Sequence, residues 1–219
     1  MASRIEQREK TRTAIVQAAL HLSSEKGFPA LSLREVTREA GVAPATFYRY
    51  FIDMEALGLA IVDEVGLSLR QLMRKARHRV RVEGSIVNTS IETFMDFIDK
   101  NPLLFQLLMG DRAGGPRSFR AAIKKEKQRF VDELADDLSK DPPTRHQPLD
   151  HITVVAEMMV NLVFDGGIEA LSLPKEERAP LAEKLKLELR IILTGSQVIT
   201  ATTSRGAAMA RKLADATQK

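Results

Sequence analysis

Cysteine and tryptophan are both missing from the 219 residues. No disulfide can form and no thiol can act as nucleophile or metal ligand, which fits a reducing compartment without requiring one. Long apolar runs are missing too. The most hydrophobic stretch, TVVAEMMVNLVF, is broken by Glu157 and Asn161 and is too short to span a bilayer. The opening MASRIEQREKTR has no apolar core, so no signal peptide is expected, and a cytoplasmic protein without membrane insertion is. Signatures of catalysis are equally thin. Gly114-Gly115 follows no strand and lacks a Lys-Ser/Thr partner, so it is a turn and not a phosphate loop. His21, between Leu20 and Leu22, is expected to pack within a helix. His146 and His151 stand five apart across a proline-rich turn, the wrong spacing for a helical metal pair. Asp136 and Asp137 project to different sides of one helix, and no Ser-His-acid grouping is visible. Neither an enzyme, nor a metal site, nor a cofactor is expected.

What remains is globular and mildly basic. Hydrophobic residues make up 44% and charged residues 28%, enough for one large or two small domains with a substantial core. A net charge of +4 tolerates an anionic partner without demanding one. The periodicity is helical throughout and predicts an all-α chain. Ile15, Ala18, Ala19 and Leu22 mark one face of a first helix ending at Gly27. Ser32 and Glu35 form a capping box that opens a short second helix, and Gly41 ends it. Pro44 suits the first turn of a third helix. Asp53 can cap a fourth with a stripe of Val62, Val65, Leu69, Leu72 and Ala76. Further helices are expected over 86–100, 103–109, 116–138 and 149–171, and another around Leu181, Leu185, Leu189 and Ile192. The small, polar stretch after 195 is expected to fray.

The aromatics are few, nine phenylalanines and two tyrosines, yet Phe47, Tyr48, Tyr50 and Phe51 crowd into five positions. Around Gly41, the residues Leu33, Val36, Ala40, Val42, Phe47 and Tyr50 fall at the packing positions of a helix-turn-helix. The second helix of that pair then exposes Ala45, Thr46, Tyr48 and Arg49. Small side chains at its start allow backbone approach to base edges, and the hydroxyls and arginine supply hydrogen bonds. Tyr48 and Tyr50 can pack through their rings and reach phosphate oxygens through their hydroxyls.

The stretch REVTREAGVAPATFYRYF, behind a long amphipathic helix and ahead of an all-helical body, resembles the TetR family of one-component transcriptional repressors, and the resemblance extends over the whole chain. It implies a three-helix DNA-binding domain over 1–52, a helical ligand-binding and dimerisation domain over 53–195, and a flexible tail over 196–219. It places Pro44, Ala45 and Thr46 near base edges, and it places Tyr48, Tyr50 and the openings of helices one, two and four near phosphates. Met54 departs from the family pattern, in which a lysine often stands there, so Lys10, Arg12, Arg34 and Thr37 are the expected anchors. SLREVTREAGVAPATFYRYF, GLAIVDEVGLSLRQLMRKAR and TFMDFIDKNPLLFQLLM further resemble the repressors of unsaturated fatty acid synthesis, which sense long-chain acyl thioesters.

Leu69, Met73, Phe94, Phe97, Phe105, Leu108, Met109, Phe130, Met158 and Leu162 are candidates to line an apolar effector pocket, or are ordinary core. Each methylene buried contributes about 0.8 kcal/mol, so half a long acyl chain exceeds the roughly 5.5 kcal/mol needed to move a two-state equilibrium decisively. Arg70, Arg74, Lys75, Arg77, Arg79 and Arg81 are either a solvated helix end or a dock for coenzyme A phosphates or an acidic acyl carrier protein. In the docking case Arg74, Arg77, Arg112 and Arg117 hold the headgroup. The eighth helix is apolar on nearly every side, which points to a homodimer through Val155, Met159, Val163, Leu185, Leu189 and Ile192. Two other classes stay open: a regulator of an efflux or catabolic operon sensing an unrelated compound, and an interaction protein that keeps the scaffold without reading DNA.

Overall fold

The computed structural model describes residues 4–79, 85–109, 117–140, 149 and 151–217. Among the described residues there are nine α-helices and no strand: α1 (Arg4–Lys26), α2 (Leu33–Glu39), α3 (Pro44–Phe47), α4 (Met54–Arg79), α5 (Ser85–Lys100), α6 (Pro102–Met109), α7 (Arg117–Lys140), α8 (Ile152–Ser172) and α9 (Lys175–Thr217). The all-α expectation is met. A 3-10 turn, Phe28–Ala30, joins α1 to α2. The chain forms two compact units, Met1–Leu72 with Asp96–Lys127, and Met73–Met95 with Gln128–Lys219. The division runs through α4, α5 and α7, and the boundary expected after residue 52 lies inside the first unit.

In the first unit α1 packs against α2, the 3-10 turn and α6, and α2 packs against α3. Ile15, Val16, Ala18 and Ala19 of α1 are buried with Val36, Phe47, Phe51 and Leu57. A fully buried side chain of that size contributes about 1.5–3 kcal/mol, so this apolar knot is what fixes the short helices. His21 falls outside the buried stripe of α1; its Nε2 lies 3.7 Å from Glu25 and 3.9 Å from Glu39, at the surface and not in helix packing.

The start of α2 is built locally. The Ser32 hydroxyl accepts from the Glu35 N–H at 3.3 Å, and the Ser32 N–H donates to the Glu35 carboxylate at 3.0 Å. Its end is closed by the Val42 N–H donating to Thr37 O at 2.9 Å and the Gly41 N–H donating to Arg38 O at 3.1 Å. That closure requires the left-handed backbone of Gly41, φ +64. Asp53 caps α4 by accepting from the Ala56 N–H at 2.7 Å. On α4, Val62, Val65, Leu69 and Ala76 are buried, while Leu72, at the edge of that stripe, is 38% exposed.

In the second unit α8 packs on α9. Gly166 lets them close: a Cβ there would lie 2.6 Å from Cδ2 of Leu185. Phe164 stacks with Phe94 at 6.4 Å between centroids and meets Phe130 edge-on at 4.9 Å. Lys186 is buried and donates to Glu183 at 2.8 Å and Glu92 at 3.0 Å. Its pKa is pushed up by those bonds, Glu183 first. α8 begins at Ile152 and not at Leu149, because His151 takes a left-handed backbone, φ 58, which an α-helix cannot continue. α9 continues through the stretch after 195 to Thr217.

Glu35 gives a pH signature. The Lys26 ammonium, 2.5 Å away, and then the Ser32 hydroxyl and N–H hold its pKa down at about 2. A depressed carboxylate stabilises the fold above its unfolded value, near 4.5, and that contribution is lost as the pH falls towards about 2. The thermal midpoint of Glu35→Gln should therefore lie below that of the parent at neutral pH, and the gap should close on acidification through this window. A gap independent of pH would refute the assignment.

Candidate nucleic-acid interface

Phe47 is the pivot of the site. Its ring is fully buried and meets Phe51 at 5.6 Å and Tyr48 edge-on at 5.6 Å, which leaves Tyr48 61% exposed. Pro44, at the first turn of α3, has no N–H to leave unpaired, and Pro44, Ala45 and Arg49 are exposed with it. Thr46 and Tyr50 are half-buried. A short helix held by one buried ring thus presents small residues, a phenol and a guanidinium to solvent from one turn.

Next to that face, Arg8 and Glu9 of α1 and Arg12, Arg49 and Tyr50 line an open cleft of about 320 Å³. The Arg12 guanidinium lies 5.5 Å from the Phe51 ring centroid, a cation–π contact that orients it. Among the described residues, Arg8, Arg12 and Arg49 form no ion pair, with Glu9 or otherwise. Three arginines against the single carboxylate of Glu9 leave the cleft a net positive charge, which favours an anion. Arg8 is an addition to the expected set; its position four residues before Arg12, one turn away on the same helix face, was the available signal.

Of the other expected anchors, Lys10 and Arg34 are exposed. Thr37 is not an anchor. It is 2% exposed beside Val36, and its hydroxyl donates within α2 to Leu33 O at 2.9 Å. Its hydroxyl makes it a candidate for a phosphate contact in sequence, but the side chain is turned inward and donates within its own helix.

Leu69, Phe94, Phe105, Leu108 and Phe130 are buried, and Met73, Phe97, Met109 and Leu162 are half-buried. Met158 is 51% exposed, so it is a surface residue of the chain and not a pocket wall. Arg70 is no part of a solvated cluster; it is 6% exposed and paired with Glu126, which is 1% exposed. Arg77 is likewise engaged, its Nη2 2.6 Å from Asp137. Arg74 is half exposed, 3.8 Å from Asp137, and Arg117 is exposed at the start of α7. Arg112 lies outside the described residues. Asp136 and Asp137, expected on different helix sides, both come within 4 Å of the same Arg74 as ion-pair partners (3.9 and 3.8 Å).

The residues expected at a subunit interface split the other way. Val155, Met159, Leu185 and Leu189 are buried inside the chain, and Val163 and Ile192 are half-buried. Among the described residues, the large apolar side chains exposed on α8 and α9 are Val154, Met158, Leu187, Ile191, Val198 and Ile199. No described helix is long and apolar enough to cross a membrane.

Residues 15–61 match the family model of bacterial regulatory proteins of the tetR family, and residues 84–195 match that of the tetracyclin repressor-like C-terminal domain. The fold is similar to that of a tetR-family transcriptional regulator from Streptomyces coelicolor, at 21% identity, with 98% of this chain and 91% of that one covered and a TM-score of 0.69. It is also similar to the fatty acid degradation regulator FadR from Bacillus halodurans, at 15% identity, with 84% and 95% covered and a TM-score of 0.62. A third likeness, to RolR in complex with resorcinol, has 17% identity, covers 87% of this chain and 96% of that one, and has a TM-score of 0.59. With the exposed third helix and the matched models spanning both its N-terminal and its C-terminal parts, this chain belongs to the TetR family of DNA-binding transcriptional regulators.

Proposed function

We propose that the chain is a homodimeric repressor that reads a palindromic operator with α3 and changes its grip when a hydrophobic effector enters its helical body. The observation that carries the reading of DNA is the division at Phe47: the ring is fully buried while Ala45, Tyr48 and Arg49 stand out beside a cleft of unpaired arginines. In this reading Pro44, Ala45 and Thr46 meet base edges, and Lys10, Arg12, Arg34, Arg49, Tyr48 and Tyr50 meet phosphates. A second copy covers Val154, Met158, Leu187 and Ile191, since monomers rarely leave such apolar patches bare.

For the effector, a long-chain acyl thioester, and with it control of fatty acid synthesis genes, is supported by the apolar character of the buried body, with Leu69, Phe105 and Leu108 in one unit and Phe94 and Phe130 in the other. The buried Arg70–Glu126 pair favours a second reading, in which the effector carries a polar group and the controlled genes serve efflux or catabolism. Native mass spectrometry of protein from its host separates the two: an acyl species supports the first, a small aromatic or polar compound the second.

The DNA-reading claim divides into two mutational outcomes on an operator selected from random duplexes. Thr46→Ala should change preference at particular base pairs. Arg49→Ala should weaken all duplexes alike and make the dependence of log K on log salt shallower by about 0.9 for each phosphate left unneutralised. Identical losses on every duplex for both variants would contradict this division of labour.

The dimer claim is checked by size-exclusion chromatography with light scattering. Met158→Glu combined with Ile191→Glu should give a folded monomer whose operator affinity falls at least about a hundredfold, because each half-site is then bound alone. A dimer unaffected by both charges would place the interface elsewhere.

A further inference from the structure

Within the first unit, α4 and α7 lie side by side and run in the same direction. Ser118 bonds to Glu55, Phe119 sits over Gly58, and Glu126 sits over Gly66 and pairs with Arg70. Both glycines are needed. A Cβ at Gly58 would lie 2.6 Å from the Phe119 and Phe28 rings, and one at Gly66 would lie 2.7 Å from Cδ of Glu126. Along this seam the ring contacts are non-directional, and the Arg70–Glu126 pair is the buried, directional one.

A buried pair of this kind is a poor source of stability. Removing two charges from water costs several kcal/mol per ion, and apolar replacements of similar volume are often neutral or stabilising. What it supplies is position: a guanidinium and a carboxylate buried together have few alternative partners, whereas an apolar seam tolerates sliding. Position matters here because α4 is joined to α3 by only six residues, is capped at Asp53, and carries Leu57, which like Phe47 is fully buried. Six residues leave little slack between α4 and α3, so a shift of α4 along α7 would pull on the link to α3.

We propose that Arg70 and Glu126 are positioning residues for DNA reading, pinning α4 to α7 in the one register that presents α3 correctly. The proposal rests on the operator-reading function above. It is tested on the full chain with spin labels at Ser68→Cys and Lys124→Cys, both exposed, in a protein with no other cysteine. Two variants are compared with this parent: Arg70→Met with Glu126→Met, and Gly66→Ala. The first removes both charges at similar volume. The second keeps them but forces the carboxylate aside, although alanine is the better helix former.

The expected result is a cooperative thermal transition in each variant, a broadened or shifted inter-label distance, and operator affinity lower by at least about tenfold with random-duplex binding unchanged. A folded variant with the parent's distance distribution and operator affinity overturns the proposal. Loss of folding in both variants overturns it equally, since the pair would then be a stability element. A parent that selects no sequence from random duplexes sinks the operator reading alone, and the distance measurement still decides the register.

Discussion

The Val42 N–H donates to the Thr37 carbonyl across Gly41, and this closure of α2 is the constraint on which the rest depends. It turns the chain tightly enough for Pro44 to open α3 immediately, and α3 is only four residues long. A helix that short has no stability of its own. It persists because Phe47 anchors it from below, within a core shared with Val36, Phe51 and Leu57. The outward residues are therefore held by a backbone they do not help to stabilise, which leaves them free to be chosen for contact with a ligand.

The buried charges follow a second logic. Lys186 is tied to Glu183 and Glu92 in one unit, and Arg70 to Glu126 in the other. Such groups stabilise little beyond what aliphatic residues would, but leaving one partner unpaired is strongly destabilising. They make the packing of neighbouring helices specific where the apolar contacts alone are permissive. In a regulator that must hold one arrangement until a ligand favours another, specificity of arrangement is worth more than added stability.

Local chemistry was legible in the sequence. The Ser32–Glu35 capping box, the Gly41 bend, the Pro44 start and the Asp53 cap are determined by residues within five positions of one another, and each stands as expected. Long-range pairing was not. Nothing near Arg70 in the chain points to Glu126, fifty-six residues away, so by sequence alone the side chain groups with exposed arginines. The faces of α8 were illegible for another reason. When Val154, Val155, Met158 and Met159 are all apolar, periodicity cannot say which pair turns inward; Val155 and Met159 do. Thr37 shows a third kind of limit, because a hydroxyl that faces a protein interior and one that faces a phosphate look alike in sequence.

The most direct measurement of the central claim is photo-crosslinking from single positions of the full chain bound to its selected operator. A photoreactive residue replacing Ala45 should form adducts with bases inside each half-site, and one replacing Arg49 should form adducts with the sugar-phosphate backbone. A bound complex with no adducts from either position, and adducts instead from surface positions on α8 or α9, would contradict the account of how this chain meets DNA.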